Sequence, residues 1–165
     1  MDTKNRLGLM LLAFLGIGLF ALPCPAEKQV FATWDNLEVD KLAALWLIKR
    51  HIDPEAEIRF YPKGTLIKEG IQLDTPYANI KRTHNQATFE YLLSSYRIKD
   101  ERLLRMGRIV HDIEINIWEA KVFRESTRIQ KDVLTLIAGS KGHEKAMEKA
   151  MVFFDHLYET VMSLK

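Results

Sequence analysis

The stretch "QVFATWDNLEVDKLAALWLIKRHIDPEAEIRFYP", residues 29–62, decides how the chain is built. Residues 29–34 are rich in β-branched and aromatic side chains and predict a strand. Asp40 then stands where a helix N-cap belongs, and Leu42, Leu45, Trp46 and Lys49 recur at helical spacing. Pro54 pushes Asp53 away from helical geometry and stops that helix. "EIRFYP" (57–62) alternates and predicts a second strand.

Outward from that block the pattern changes. Residues 65–84 are short extended pieces punctuated by Gly70 and Pro76. From Asn85, a candidate cap, onward the periodicity is helical, with helices predicted near 86–96, 100–115, 121–138 and 142–163. The last is the clearest: Met147, Ala150, Met151, Phe154, Leu157 and Val161 form one apolar stripe, the signature of a core face. There are no internal repeats and no linker after Ala26. The expected fold class is α+β, a single domain with a small N-terminal sheet and a mainly helical C-terminal half.

The N-terminus predicts a compartment. "MDTKNR" is basic, residues 7–22 are apolar without a single charge, and "PCPA" supplies small residues before "EKQ". That is the layout of a secretory signal peptide, residues 1–26, cleaved near Ala26 to leave a domain at 27–165. The apolar run is shorter than the roughly 20 residues of a spanning helix, so export to a periplasmic space is expected ahead of retention as an N-terminal anchor. Removing Lys4, Arg6 and Asp2 takes the formal charge from +2 to +1, so no nucleic-acid partner is expected. Cys24, the one cysteine, departs with the signal. The mature domain then has no disulfide, no thiol nucleophile and no thiolate metal ligand.

Two polar clusters interrupt the helical pattern. In "RTHNQATFEYLL" (82–93), His84 precedes a helix and Glu90 lies in its first turns. In "RIVHDIEI" (108–115), His111 borders the apolar stripe, Glu114 follows on the same face, and Asp112 points about 100° away. Two histidines with carboxylates are a sufficient shell for a divalent metal ion held by imidazole and oxygen. The same residues are equally those of a polar rim around a core, and spacing leaves both readings open. His51, His143 and His156 read as structural or solvated. No GxSxG elbow or phosphate-loop glycine spacing is present. The basic run "IKRTH" (80–84) offers Arg82 to an oxyanion such as chromate.

These blocks resemble the C-terminal domain of the chromate-resistance protein ChrB family. The resemblance runs through Asp40, Trp46-Leu47-Ile48, Arg50, Ile52-Asp53-Pro54, Thr83-His84, Thr88-Phe89-Glu90 and Ile109-Val110-His111-Asp112, over about residues 30–163. It implies a sensing or regulatory role beside a chromate efflux pump. It also implies a metal site at His84, Glu90 and His111, with Asp112 and Glu114 as further ligands or supports, and with Asp40, Arg50 and Arg82 as supporting or anion-binding groups. The family's glycine-aspartate is Asn85-Gln86 here, its cysteine is Ala87, and its second acidic residue is Glu114. Expected partners are a metal ion or oxyanion and a membrane transporter. The competing expectations are a metal-dependent enzyme acting on a small substrate and a metal-free module that docks on the transporter.

Overall fold

Helix α1 (Val39–Leu47) is buried along its entire length, including Asp40 and Lys41. A helix with no solvent face must lie at the centre of its domain. The structure, a computed structural model, describes residues 28–164, so the expected signal peptide at 1–26 lies outside the described residues. Strand β1 (Val30–Trp34) runs into α1, and the chain returns as β2 (Glu57–Tyr61), parallel to β1 with Val30 opposite Glu57. A two-residue strand β3 (Ile71–Gln72) joins the other side of β1, also parallel, giving the order β2-β1-β3. Parallel neighbours need a crossover, which α1 supplies between β1 and β2.

The helix ends as the proline requires. Its last turn widens into a π-turn, Ile48–Ile52, closed by Asp53 N–H donating to Ile48 O at 2.8 Å. Asp53 is extended ahead of Pro54. Lys49 covers the freed carbonyls, donating to Pro54 O and to Ala56 O.

The helical half follows as α2 (Thr88–Ser95), α3 (Glu101–Glu114), α4 (Ser126–Ala138) and α5 (His143–Thr160), with a final 3₁₀ turn at Val161–Ser163. Together with the sheet this is the expected α+β architecture. The core runs from Phe31 through Leu42, Trp46, Phe89 and Met106 to Phe154. Asp100 starts α3 by accepting from Arg102 N–H (2.8 Å) and Leu103 N–H (3.1 Å), and its other oxygen accepts from Tyr158 Oη–H at 2.9 Å.

Three local expectations are corrected. Asp40 does not cap its own helix: Glu38 occupies the N-cap and Asp40 lies inside α1. Ala87, not Asn85, stands at the N-cap of α2. Helix α4 begins at Ser126 rather than 121, because Val122 and Phe123 give their N–H groups to the Asp112 carboxylate instead of to a helix.

One clamp ties α1 to α5. Asp155 accepts from Trp46 Nε1–H at 2.8 Å and holds Arg50 bidentately at 2.9 and 2.8 Å. Arg50, expected to support a site or bind an anion, is thus engaged by a carboxylate of the fold. Trp46 is buried, whereas the Arg50–Asp155 pair is nearly half exposed. Asp155→Ala should therefore cost about 1–3 kcal/mol, because it orphans a buried indole N–H. Arg50→Ala should cost about 1 kcal/mol or less. Urea unfolding of the two variants checks this order, and equal losses would show that the exposed pair, not the indole, is what matters.

Candidate functional site

Three carboxylates close a ring among α1, α2 and α3. Glu114, at the end of α3, accepts from the N–H groups of Val39 (3.1 Å) and Asp40 (3.4 Å), covering the start of α1. Asp40 in turn accepts from Thr88 N–H (2.7 Å) and Phe89 N–H (2.9 Å), capping α2 from a neighbouring helix. Ala87 cannot cap with its methyl group, so the cap arrives from α1. Glu90 in α2 accepts from Ala87 N–H at 3.0 Å and meets His111 Nδ1 of α3 at 2.7 Å. Each carboxylate sits at a helix N-terminus, where the macrodipole favours negative charge.

Cations fasten the ring to the sheet. Arg82 pairs with Glu114 (2.9 Å), with Asp74 (3.4 Å) and with Glu38. Lys41, fully buried, donates to Trp34 O (3.1 Å), Asn36 O (2.8 Å) and Asn36 Oδ1 (3.0 Å), with Asp74 at 3.9 Å. Asp74 also accepts from Thr88 Oγ1–H at 3.2 Å, and its backbone is left-handed, φ +47°. Burial pushes the Asp40 carboxyl up to about 6 despite its two N–H donors. Burial also raises Glu114, with Arg82 opposing the shift, and it lowers Lys41. For Arg82 burial is outweighed by Asp74, Glu38 and Glu114, which hold the guanidinium charged.

The Glu90–His111 dyad lies in an open cleft of about 560 Å³ whose lining includes Arg108, Asp112, Glu119 and Val122. Gly107 makes the approach of α2 possible, since a Cβ there would stand 3.0 Å from Leu93 Cδ1 and 3.6 Å from Glu90 Cγ. It precedes His111 by one turn on the same face of α3. With Nδ1–H directed at a carboxylate, Nε2 is the ring atom left for a ligand.

Of the five expected metal-site residues, Asp112 shares the cleft of Glu90 and His111 but gives its oxygens to other donors, while His84 and Glu114 lie elsewhere. Glu90 and His111 meet. His84 is exposed in the loop before α2, where Thr83 Oγ1–H donates to Asn85 at 2.9 Å. Glu114 faces α1 and Arg82. Asp112 is buried and accepts from Asn116 Nδ2–H (2.9 Å), Val122 N–H (2.9 Å) and Phe123 N–H (3.1 Å). Among the described residues no three His, Cys, Asp or Glu side chains group to hold a metal ion. A first shell of His84, Glu90 and His111 therefore does not fit the side chains as they stand. Arg82, offered to an oxyanion, is occupied by three carboxylates.

Lys41, Asp74 and Arg108 were not singled out from the sequence. Lys41 carried a readable signal, because the "LAALWL" that follows it leaves the helix no polar face for an ammonium group.

The two buried aspartates bend stability in opposite senses. Burial raises the Asp112 carboxyl, but its hydrogen bonds outweigh that and bring it to about 2. Its stabilisation is thus present above about 4 and lost as pH falls through 2. Asp40, raised from 3.8 to about 6, favours the fold when protonated, and that contribution disappears as pH rises through 6. Urea titrations should show Asp40→Asn removing a decline in stability between about pH 4 and 7. Asp112→Asn should remove one on the acid side. A variant that keeps its parent's pH profile would contradict the assignment.

A family model described as "ChrB, C-terminal domain" matches residues 31–161. The protein named "Protein ChrB" of Cupriavidus metallidurans (strain ATCC 43123 / DSM 2839 / NBRC 102507 / CH34) is 31% identical over 100 residues, covering 56% of this chain and 29% of that protein. The match therefore spans less than a third of that relative's length. No solved structure matches.

Proposed function

The chain belongs to the ChrB C-terminal domain family, which its name links to chromate resistance, and from that premise we propose that it is a binding domain whose ligand is a small oxyanion. The observation that carries this is the Glu90–His111 contact at 2.7 Å beside Arg108 in the α2–α3 cleft. Glu90 fixes the imidazole through Nδ1, which leaves Nε2 as the ring atom for the ligand. Arg108 lies three residues earlier on α3, within one turn of His111, and supplies a planar fork of N–H donors, the chemistry that matches an oxyanion. Asp112 does not compete for the ligand, because its oxygens are occupied by hydrogen-bond donors. Glu119 at the cleft opposes an anion and keeps affinity moderate.

One observation favours a metal ion instead: a ligating histidine commonly gives its second ring N–H to a carboxylate, as His111 does. That reading then rests on His111 and Glu90 with open positions, and not on His84. We also propose export, with residues 1–26 as the cleaved signal. N-terminal sequencing of protein from the periplasmic fraction should then begin near Glu27, and an intact Met1 would contradict it.

Calorimetric titration with chromate, with chloride as control, tests the ligand. His111→Ala and Arg108→Ala should each weaken binding about tenfold or more, and Glu119→Gln should tighten it. His84→Ala should leave it unchanged. Undiminished binding in both His111→Ala and Arg108→Ala would overturn the site. Stoichiometric metal in the untagged protein, lost in His111→Ala, would replace the oxyanion by a metal ion.

A further inference from the structure

The groove between α2 and the first half of α3, about 610 Å³, adjoins the dyad cleft through Glu90 and Arg108, which line both. Its apolar floor is Leu93, Ile98 and Leu104. Arg97 and Lys99 stand at one end, in the turn between the helices, and Arg108 stands at the other, well into α3. At a rise of about 1.5 Å per residue the two ends lie roughly 12 Å apart. The neighbouring Arg102 and Arg105 pair with Glu159 and Glu125, whereas among the described residues Arg97, Lys99 and Arg108 pair with no carboxylate. Glu90, the one acid of the lining, accepts from Ala87 N–H and meets His111. Asp100 and Glu101, at the start of α3, lie outside the lining, and Asp100 is taken up by Arg102 N–H, Leu103 N–H and Tyr158 Oη–H.

Arg97 occupies a backbone position that glycine usually takes. Helix α2 closes with Arg97 N–H donating to Ser94 O at 3.1 Å and Ile98 N–H donating to Leu93 O at 2.9 Å, and Arg97 itself is left-handed, φ +53°. A side chain is strained there, whereas glycine is not. Among the described residues nothing bonds to the Arg97 guanidinium to offset that strain. Backbone outliers of this kind gather at ligand clamps.

From this we infer that the α2–α3 groove receives an acidic amphipathic helix of a partner protein. Cations at both ends of an apolar floor match a ligand with an acid at each end and apolar residues between. Glutamates seven residues apart on a helix span roughly 11 Å, with leucines three and four residues after the first on the same face. Both walls of the groove are helices whose main-chain groups bond within the helix. An extended peptide therefore finds no main-chain partner there, while a helical one satisfies its own N–H and C=O groups. A second copy of the same groove presents the same three cations and is repelled.

The probe is acetyl-Ala-Gln-Ala-Glu-Glu-Ala-Leu-Leu-Ala-Gln-Glu-Ala-Ala-Gln-Ala-amide, titrated into the ¹⁵N-labelled domain to about 1 mM. The Leu93, Ile98, Leu104 and Gly107 amides should shift together. Replacing the glutamates of the probe by glutamine, or the alanine after its leucines by proline, should weaken binding about tenfold or more. Arg97→Gly combined with Lys99→Ala should do the same without lowering the urea midpoint, because glycine adopts a positive φ freely. Arg108 stays intact in this variant, so chromate binding is read separately from helix binding. Groove amides unchanged by the probe, equal binding of the glutamine probe, or full binding in the double variant would overturn the inference. Full binding of the proline probe would overturn it in favour of an extended segment. Groove shifts with decanoate but not with the probe would overturn it in favour of a small anionic amphiphile. Groove shifts without probe in a domain that sediments as a dimer would overturn it in favour of a second copy.

Discussion

The fold depends on a carboxylate placed at the start of a helix that is not its own. Asp40 belongs to α1 and serves α2, Glu114 belongs to α3 and serves α1, and Glu90 of α2 returns to α3 through His111. Every helix N-terminus leaves N–H groups without partners, and inside a protein an unsatisfied donor costs free energy comparable to a lost hydrogen bond. Here α1 and α2 meet that obligation with carboxylates borrowed from α3 and α1, while α3 is capped by its own Asp100 and is tied to α2 through His111. The dyad is the last link and inherits the geometry of the other two.

Charge could have made such a centre unstable. Asp40 and Lys41 are fully buried, and removing ions from water carries a desolvation penalty of several kcal/mol each. The structure offsets part of it by giving these ions directed donors or acceptors. Asp40 has two N–H groups, Lys41 has three oxygens, and Arg82 has three carboxylates. Arg82 is the one member that reaches α1, α3 and the loop after β3 together. It carries the alignment of the sheet into the helical layer.

Much of the architecture was legible because periodicity reports it. β1, β2 and the apolar stripe of α5 lie close to their expected places, and so does the Pro54 stop. The direction and order of the strands were not legible, since alternation reveals a buried face and not a partner. Asp40 illustrates the limit: its type announced a cap, but the nearest N-terminus was the wrong one. Asp112 and Glu114 stand two residues apart, roughly 200° around the helix. One therefore anchors the loop before α4 while the other serves α1. His84 lies in a loop, where no period indicates direction. Glu90 and His111 both sit on helices, and of the five expected metal ligands they are the two joined by a direct side-chain contact.

The account is tested most directly at its last link. The Nδ1 nitrogen and proton signals of His111 can be recorded in the ¹⁵N-labelled domain, in the parent and in Asp40→Asn, whose altered side chain lies in a different helix from the ring. If the helices orient one another in a closed ring, disturbing the α1–α2 joint moves the His111 signals while the domain stays folded. His111 signals identical in the two proteins, with the Thr88 and Phe89 amides displaced, would mean that the joints act independently and that the ring does not position the site.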